Sequence, residues 1–224
     1  MTPLTVVCLF VRGEYPYTVE YVQRLREGVS RHLSRPHRFV CLTDQPEAMP
    51  PGVESIRVAP FPGCIALWTK LQIFNPAQGF TGRMLYLDLD TLVVGPLDPI
   101  VDMPAELALG TDELRNERQP GEVDRFGRPI LRQYQGSVIA WDAGTQDHLF
   151  TEWTPDVAQV WSTDQEWYAL TARGALGMPY AWFPRISRVQ PPWPAAAKVV
   201  LVKKPKPHIA ADRWPWFNEQ WRAA

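Results

Sequence analysis

The stretch MLYLDLDTLVVGPLDPI, residues 84 to 100, sets two carboxylates inside an otherwise apolar run. Met84, Leu85, Tyr86 and Leu87 read as a buried β-strand, yet Asp88 and Asp90 follow them two residues apart. Like charges this close raise the cost of ionising one another. A bound cation answers the difficulty. In an extended chain, residues two apart point to the same side, so Asp88 and Asp90 are expected to project together while Leu87 and Leu89 face the other way. The pair falls at the end of the most apolar strand, and open α/β sheets bind ligands at the carboxyl ends of their strands. Mg²⁺ or Mn²⁺ held by one or two carboxylates commonly completes its shell with substrate phosphates, so the pair points to a metal–diphosphate site. The competing reading is that both acids solvate a strand end or cap a turn.

Upstream of this stretch, LTVVCLFV (4 to 11) reads as another buried strand, and Tyr17, Tyr21, Val22, Leu25, Val29 and Leu33 then recur at helical spacing. HRFVCLTD (37 to 44) and VESIRVAP (53 to 60) are further strands, so the opening sixty residues alternate as β, α, β, β. That order specifies an α/β class with a mostly parallel central sheet flanked by helices. A short helix is expected over ALWTKLQIF (66 to 74). Downstream, strands are expected at 106 to 113, 137 to 143 and 198 to 204, and helices at 145 to 153 and 164 to 173. Neither repeat nor linker divides the chain, and residues 1 to 224 read as one domain.

Composition narrows the function. With 23 Lys+Arg against 24 Asp+Glu the net charge is −1, which gives no global field drawing the chain to nucleic acid or an anionic membrane. No apolar run reaches membrane-spanning length. Three cysteines without metal spacing argue for reduced thiols and a cytoplasmic protein. The 23 prolines imply many rigid connections, and most of the 10 tryptophans are expected in core and loop packing, with stacking on a sugar open for a few.

YLDLDTLVVGPLDPI resembles the DxD segment of GT-A fold glycosyltransferases, especially the family 8-like group that uses nucleotide-sugar donors. The likeness extends over most of the chain in the expected order. LTVVCLFV, with Tyr15 and Tyr17 beyond it, stands where that family holds the base and ribose, and the resemblance makes Arg12 and Tyr17 nucleotide contacts. WTKLQIF is similar to the segment in which a basic residue, here Lys70, reaches the donor sugar or diphosphate. YQGSVIAWDAG resembles the Asn-Ser-Gly strand, with Gln135, Gly136 and Ser137 in place of the usual residues. STDQEWYAL resembles the Asp-Gln-Asp helix start, which would set Asp164 and Gln165 near the anomeric carbon. PHIAADRWPWF (207 to 217) resembles the His-x-x-Gly-x-x-Lys-Pro-Trp close, with His208, Pro215 and Trp216 matching and Trp214 where the Lys would stand.

The resemblance implies a single GT-A (Rossmann-like) domain and a retaining, metal-dependent transferase with a UDP-sugar as donor and a saccharide or other small molecule as acceptor. Mn²⁺ (or Mg²⁺) would be held by Asp88, Asp90 and His208, a mixed oxygen and nitrogen set suited to manganese. Each assignment has a plainer counterpart. Lys70 could be a solvated lysine and His208 a surface histidine. Asp164 follows Ser162 and Thr163, where a helix-capping acid is expected in any case. Tyr17 fits the buried face of the first helix. Two other functions stay open: a carbohydrate- or nucleotide-binding module without turnover, and a haloacid dehalogenase-like phosphatase, whose motif normally opens the chain.

Overall fold

The computed structural model describes residues 3 to 12, 17 to 61, 66 to 111, 134 to 161, 163 to 202, 216, 217 and 221. Its central sheet has seven strands: β1 (Leu4–Phe10), β2 (Arg38–Thr43), β3 (Glu54–Arg57), β4 (Arg83–Leu87), β6 (Leu107–Thr111), β7 (Tyr134–Asp142) and β8 (Ala175–Gly177), in the order β3-β2-β1-β4-β7-β6-β8. β1 pairs parallel with β2 and β4, β2 with β3, and β6 with β8, while β7 runs antiparallel to both of its neighbours. The mostly parallel α/β architecture is thus as the sequence specifies.

The strand sequences explain the layering. β1 (LTVVCLF) and β4 (RMLYL) are near-continuous apolar runs, as expected of strands covered on both faces. Their side chains alternate between two cores. Val6, Cys8, Leu85 and Leu87 face the first, with Tyr21, Val22, Leu25 and Val29 of helix α1 (Val19–His32). Val7, Met84 and Tyr86 face the second, with Trp68, Leu71, Phe74 and Tyr168. Period-two alternation of one strand between two apolar layers is what puts Tyr86 and Asp88 on the same side.

Where a short helix is expected, Ala66–Phe74 forms a nine-residue 3₁₀ segment. Trp68 through Phe74 are all buried, polar Thr69, Lys70 and Gln72 included, so the segment has no solvated face of the kind an amphipathic α-helix presents. Strand β5 (Thr91–Val93) leaves the main sheet and pairs antiparallel with β9 (Val199–Leu201). The remaining helices are α2 (Asp98–Val101), α3 (His148–Thr151), α4 (Pro155–Val160) and α5 (Asp164–Thr171). None of the helices described is long and apolar enough to cross a membrane.

Candidate active site

β4 ends at Leu87, and Asp88 to Asp90 form a turn rather than an extended run. The reason is that the chain changes sheets here: the Thr91 hydroxyl donates to the Asp88 carbonyl at 2.7 Å, closing the turn, and β5 then pairs with β9. The turn is held from two further directions. Asp88 N–H donates to the Ser137 carbonyl on β7 at 2.9 Å, and Val202 N–H donates to the Asp90 carbonyl at 3.1 Å. Asp90 is buried and Asp88 half-buried.

The cation that the paired acids call for is supplied, for Asp88, by the protein. Lys70 Nζ lies 3.0 Å from Asp88 Oδ1 and 3.2 Å from Asp164 Oδ2, and donates to the Gly136 carbonyl at 3.0 Å. An ammonium has three protons, and three acceptors surround this one. The solvated-lysine reading is therefore excluded, since Lys70 is buried. Burial alone would lower its pKa, but Asp164 and then Asp88 outweigh it, so the ammonium titrates well above the ordinary lysine value. Burial likewise works against the Asp88 charge, yet Lys70, the Tyr86 hydroxyl and the Ser137 hydroxyl together hold its carboxyl below the usual range.

Tyr86 is a site residue that the sequence reading did not single out. Its hydroxyl donates to Asp88 Oδ1 at 2.6 Å, and the Lys70 ammonium sits 5.3 Å from its ring centroid. Burial, followed by the Asp88 charge, raises the Tyr86 phenol, so it stays a donor. Tyr168 is buried in the same layer, its phenol raised by burial and then by Asp164 and Asp88. The sequence signals were there: Tyr86 precedes Asp88 by one strand period and Tyr168 follows Asp164 by one helical turn.

Asp164 opens α5, whose start is set by the Thr163 N–H donating to Glu166 Oε2 at 3.2 Å. The helix is hung on the segment around α3 by three side chains. Trp167 Nε1 donates to the Leu149 carbonyl at 3.0 Å, Gln146 Nε2 donates to the Arg173 carbonyl at 2.9 Å, and His148 Nε2 lies 3.0 Å from the Thr171 carbonyl. A fixed α5 fixes Asp164. Capping and site membership are thus compatible, because the aspartate that begins the helix is the one that meets Lys70.

Gln135, Gly136 and Ser137 all lie in β7, which begins three residues earlier than the expected strand. A side chain at Gly136 would place its Cβ 2.8 Å from Asp164 Oδ2 and 3.2 Å from Lys70 Nζ. Only glycine lets the strand pass this close to the ion pairs. Gln135 is fully buried, and its Oε1 accepts from Ser137 N–H at 2.8 Å, beside the bulge at Leu109 and Gly110. Its Nε2 finds no hydrogen-bond partner among the described residues.

The other candidates fall into separate places. Arg12, exposed beyond β1, donates from its backbone to Asp44 Oδ1 at 3.2 Å and from its guanidinium to Gln45 Oε1 at 2.8 Å, also at the carboxyl edge of the sheet. Tyr17 packs on Tyr21 with ring centroids 5.0 Å apart, and Tyr21 meets Trp221. Gln165 is half-buried next to Asp164. His208 lies outside the described residues, as does most of the 207 to 217 segment. Among the described residues no group of three or more His, Cys, Asp or Glu side chains is arranged to hold a metal ion. Asp88 and Asp90 nonetheless offer the oxygen ligands that Mg²⁺ and Mn²⁺ take, and the single Lys70 charge does not balance Asp88 and Asp164 together. The donor chemistry fits a divalent cation whose shell is completed from elsewhere.

No family model and no curated protein sequence matches the chain. Solved structures do. A crystal structure of the galactosyltransferase LgtC in complex with donor and acceptor sugar analogs superposes with a TM-score of 0.68 at 16% identity, covering 98% of this chain and 95% of that one. A structure of an active-site glutamine-to-glutamate mutant of LgtC gives 0.67 at 17% identity, covering 98% and 99%. Over nearly its whole length, then, this chain has the GT-A fold of LgtC.

Proposed function

We propose that this chain is a glycosyltransferase of the family 8-like group, moving a sugar from a nucleotide diphosphate sugar, with a UDP-sugar as donor, to a saccharide acceptor. What carries the reading is one convergence. Asp88 of the LDLD stretch, Gly136 of the QGS strand and Asp164 of the STDQE helix start, three segments set far apart in sequence, all meet the Lys70 ammonium. They do so at the carboxyl edge of a sheet whose fold is that of a galactosyltransferase solved with donor and acceptor analogs. One sheet drawing strands from Leu4 to Gly177 supports treating 1 to 224 as one domain, and the buried free thiols Cys8 and Cys41 support a cytoplasmic setting.

In this reading Asp88 and Asp90 hold Mn²⁺ (or Mg²⁺) with His208. The chain leaves β9 at Val202, bonded to the Asp90 carbonyl, and six further residues reach at most about 20 Å, enough for His208 to arrive at the same turn. The metal, when bound, offsets charge developing on the diphosphate leaving group. Lys70 acts through the protein: it fixes Asp88 against Asp164, and so fixes the distance between the donor diphosphate and the start of α5. Asp164 and Gln165 there face the anomeric carbon, with retention of configuration. Arg12 and Tyr17, beyond β1, bound the nucleotide, and Gln135, Gly136 and Ser137 bound the sugar.

The test is hydrolysis and transfer of UDP-galactose and UDP-glucose with and without Mn²⁺, with the product anomer followed by NMR. Metal-dependent release of the α-anomer, lost in Asp88→Asn, is the expected result. One observation favours a second reading, a binding module without turnover: the buried Lys70 ammonium already lies against Asp88, Asp164 and the Gly136 carbonyl of the protein itself. A Mn²⁺-dependent thermal shift with UDP but no release of sugar from any donor would favour that module. The phosphatase alternative has no comparable support, since its motif opens the first strand and LDLD here closes the fourth.

A further inference from the structure

The opposite edge of the sheet carries an unusual charge run. Residues 24 to 38, RLREGVSRHLSRPHR, hold five arginines and two histidines against one glutamate, in a chain whose net charge is −1. Most of these arginines are answered locally. Arg24 bridges Glu20 and Glu27, Arg35 bridges Asp98 and Asp102, and Arg38 bridges Glu54. Arg26 and Arg31 form no hydrogen bond or ion pair with any described residue, and of the two Arg31 is exposed whereas Arg26 is half-buried.

The Arg26 side chain lies beside a glycine turn. The tight turn at Pro51 and Gly52 carries Gly52 at φ 82°, and a Cβ there would stand 2.7 Å from an Arg26 terminal nitrogen and 3.1 Å from Cζ. The guanidinium therefore lies against the bare backbone of Gly52, in space that any other residue would fill. It forms one wall of a cavity of about 440 Å³ shared with Ser30, one turn on along α1, and with His37 and Arg35. His37 Nδ1 is 2.9 Å from the Arg35 carbonyl, which can only accept, so Nδ1 donates and Nε2 is left for another partner. Ser30 is exposed at the rim.

A guanidinium with no counter-ion among the described residues, set on the wall of a concave and polar site, is arranged to receive an anion through paired N–H donors. We propose that Arg26, with Ser30 and His37, forms a binding site for a phosphate group at the amino edge of the sheet, about 20 Å along β2 from the Asp44 end. The ligand class is a phosphate monoester or diester oxyanion, carried either by a free small molecule or by a lipid headgroup. The site is separate from the carboxylate turn and does not depend on the function proposed for it.

Binding of inorganic phosphate and of glycerol phosphate to the full chain is measured by calorimetry at constant ionic strength, alongside flotation with phosphatidylcholine vesicles with and without phosphatidylglycerol. Saturable binding of the free phosphates, weakened about ten- to a hundredfold in Arg26→Gln, is expected for a small-molecule source. Flotation only with phosphatidylglycerol, lost in the same variant, identifies a headgroup source. Ser30→Asp, which sets a carboxylate at the rim without touching the core, should abolish either signal. The exposed Arg173 on the far side of the sheet provides the control, and Arg173→Gln should bind like wild type. Wild-type binding by Arg26→Gln and Ser30→Asp, or no binding of phosphate or anionic vesicles by the wild type, overturns the proposal.

Discussion

Two cations are buried to the same extent at the two ends of β4. Arg83, the first residue of the strand, is 8% exposed, and so is Lys70 at the strand's far end. Arg83 spreads its charge over neutral acceptors, the carbonyls of Val101, Met103 and Ala105 at 2.8 to 3.0 Å, and touches only the rim carboxylate of Asp142, at 3.2 Å. Lys70 instead spans two carboxylates from separate elements. The first arrangement ties a loop down and leaves nothing for a ligand to change. The second leaves surplus negative charge around one ammonium, a balance that an arriving cation can shift. Burial of a charge does not by itself mark a site; the charge of its partners does.

The sharpest way to break this contrast is Lys70→Ala, which leaves Asp88 and Asp164 facing each other without a counter-charge. Removing one member of a buried ion pair typically costs about 3–5 kcal/mol, and urea unfolding at pH 7 should show a loss of that size together with loss of turnover. The pH dependence should invert as well. In the wild type the Asp88 carboxyl is held below its unfolded value of about 3.9, so its contribution is present above that pH and is lost as pH falls through the folded value. Without Lys70 the two carboxylates gain from protonation, and the variant should become more stable between pH 7 and 4.5. If the variant keeps wild-type stability at pH 7, the ion pairs are not what holds these segments together.

At the other end, Arg83→Lys keeps the charge but loses the fork, and should cost about 2–3 kcal/mol with turnover per folded molecule unchanged. A comparable loss of turnover would erase the distinction between the two cations. Gly136→Ala presses a methyl group between Asp164 and Lys70 and should cost about 2 kcal/mol, with turnover falling further than stability alone explains. The smallest effect is expected of Tyr86→Phe, about 1.5 kcal/mol for one bond to a charged acceptor. Since Asp88 then loses a donor, its pKa should rise, and the acid limb of the proposed Mn²⁺-dependent UDP binding should move to higher pH. An unmoved limb would mean that Tyr86 does not tune Asp88.

The parallel half of the sheet was legible because β1, β2 and β4 are continuous apolar runs, and a strand buried on both faces has few alternatives. Read from composition, β7 starts only at Ser137, and the family resemblance is what carries the strand back to Tyr134; the bulge at Leu109 and Gly110 and the Gln135 bond to Ser137 N–H are compensation that a window of sequence does not contain. The 3₁₀ segment escaped for a related reason, since Thr69, Lys70 and Gln72 suggest a solvated face but are buried by tertiary packing. For the candidate site, residue types were readable and partnerships were not. Lys70 and Asp164 stand 94 positions apart (164 − 70), and no local pattern states that the cation needed beside Asp88 is a lysine from the preceding element.

The pairing of β5 with β9 also imposes a schedule. Thr91 to Val93, directly after the two aspartates, have Val199 to Leu201 as their strand partner, 108 residues after Val93 (201 − 93). At about 5–20 residues per second of synthesis, that partner arrives about 5 to 20 seconds after the acids have been made. β1, β2, β3 and β4 can associate during that wait, because each has a neighbour already synthesised. The carboxylate turn cannot take its final support until residues 199 to 202 emerge. A nascent chain stalled before Val199 would carry the parallel half of the sheet but an unbraced acid pair, so the metal affinity proposed for that pair should be acquired last.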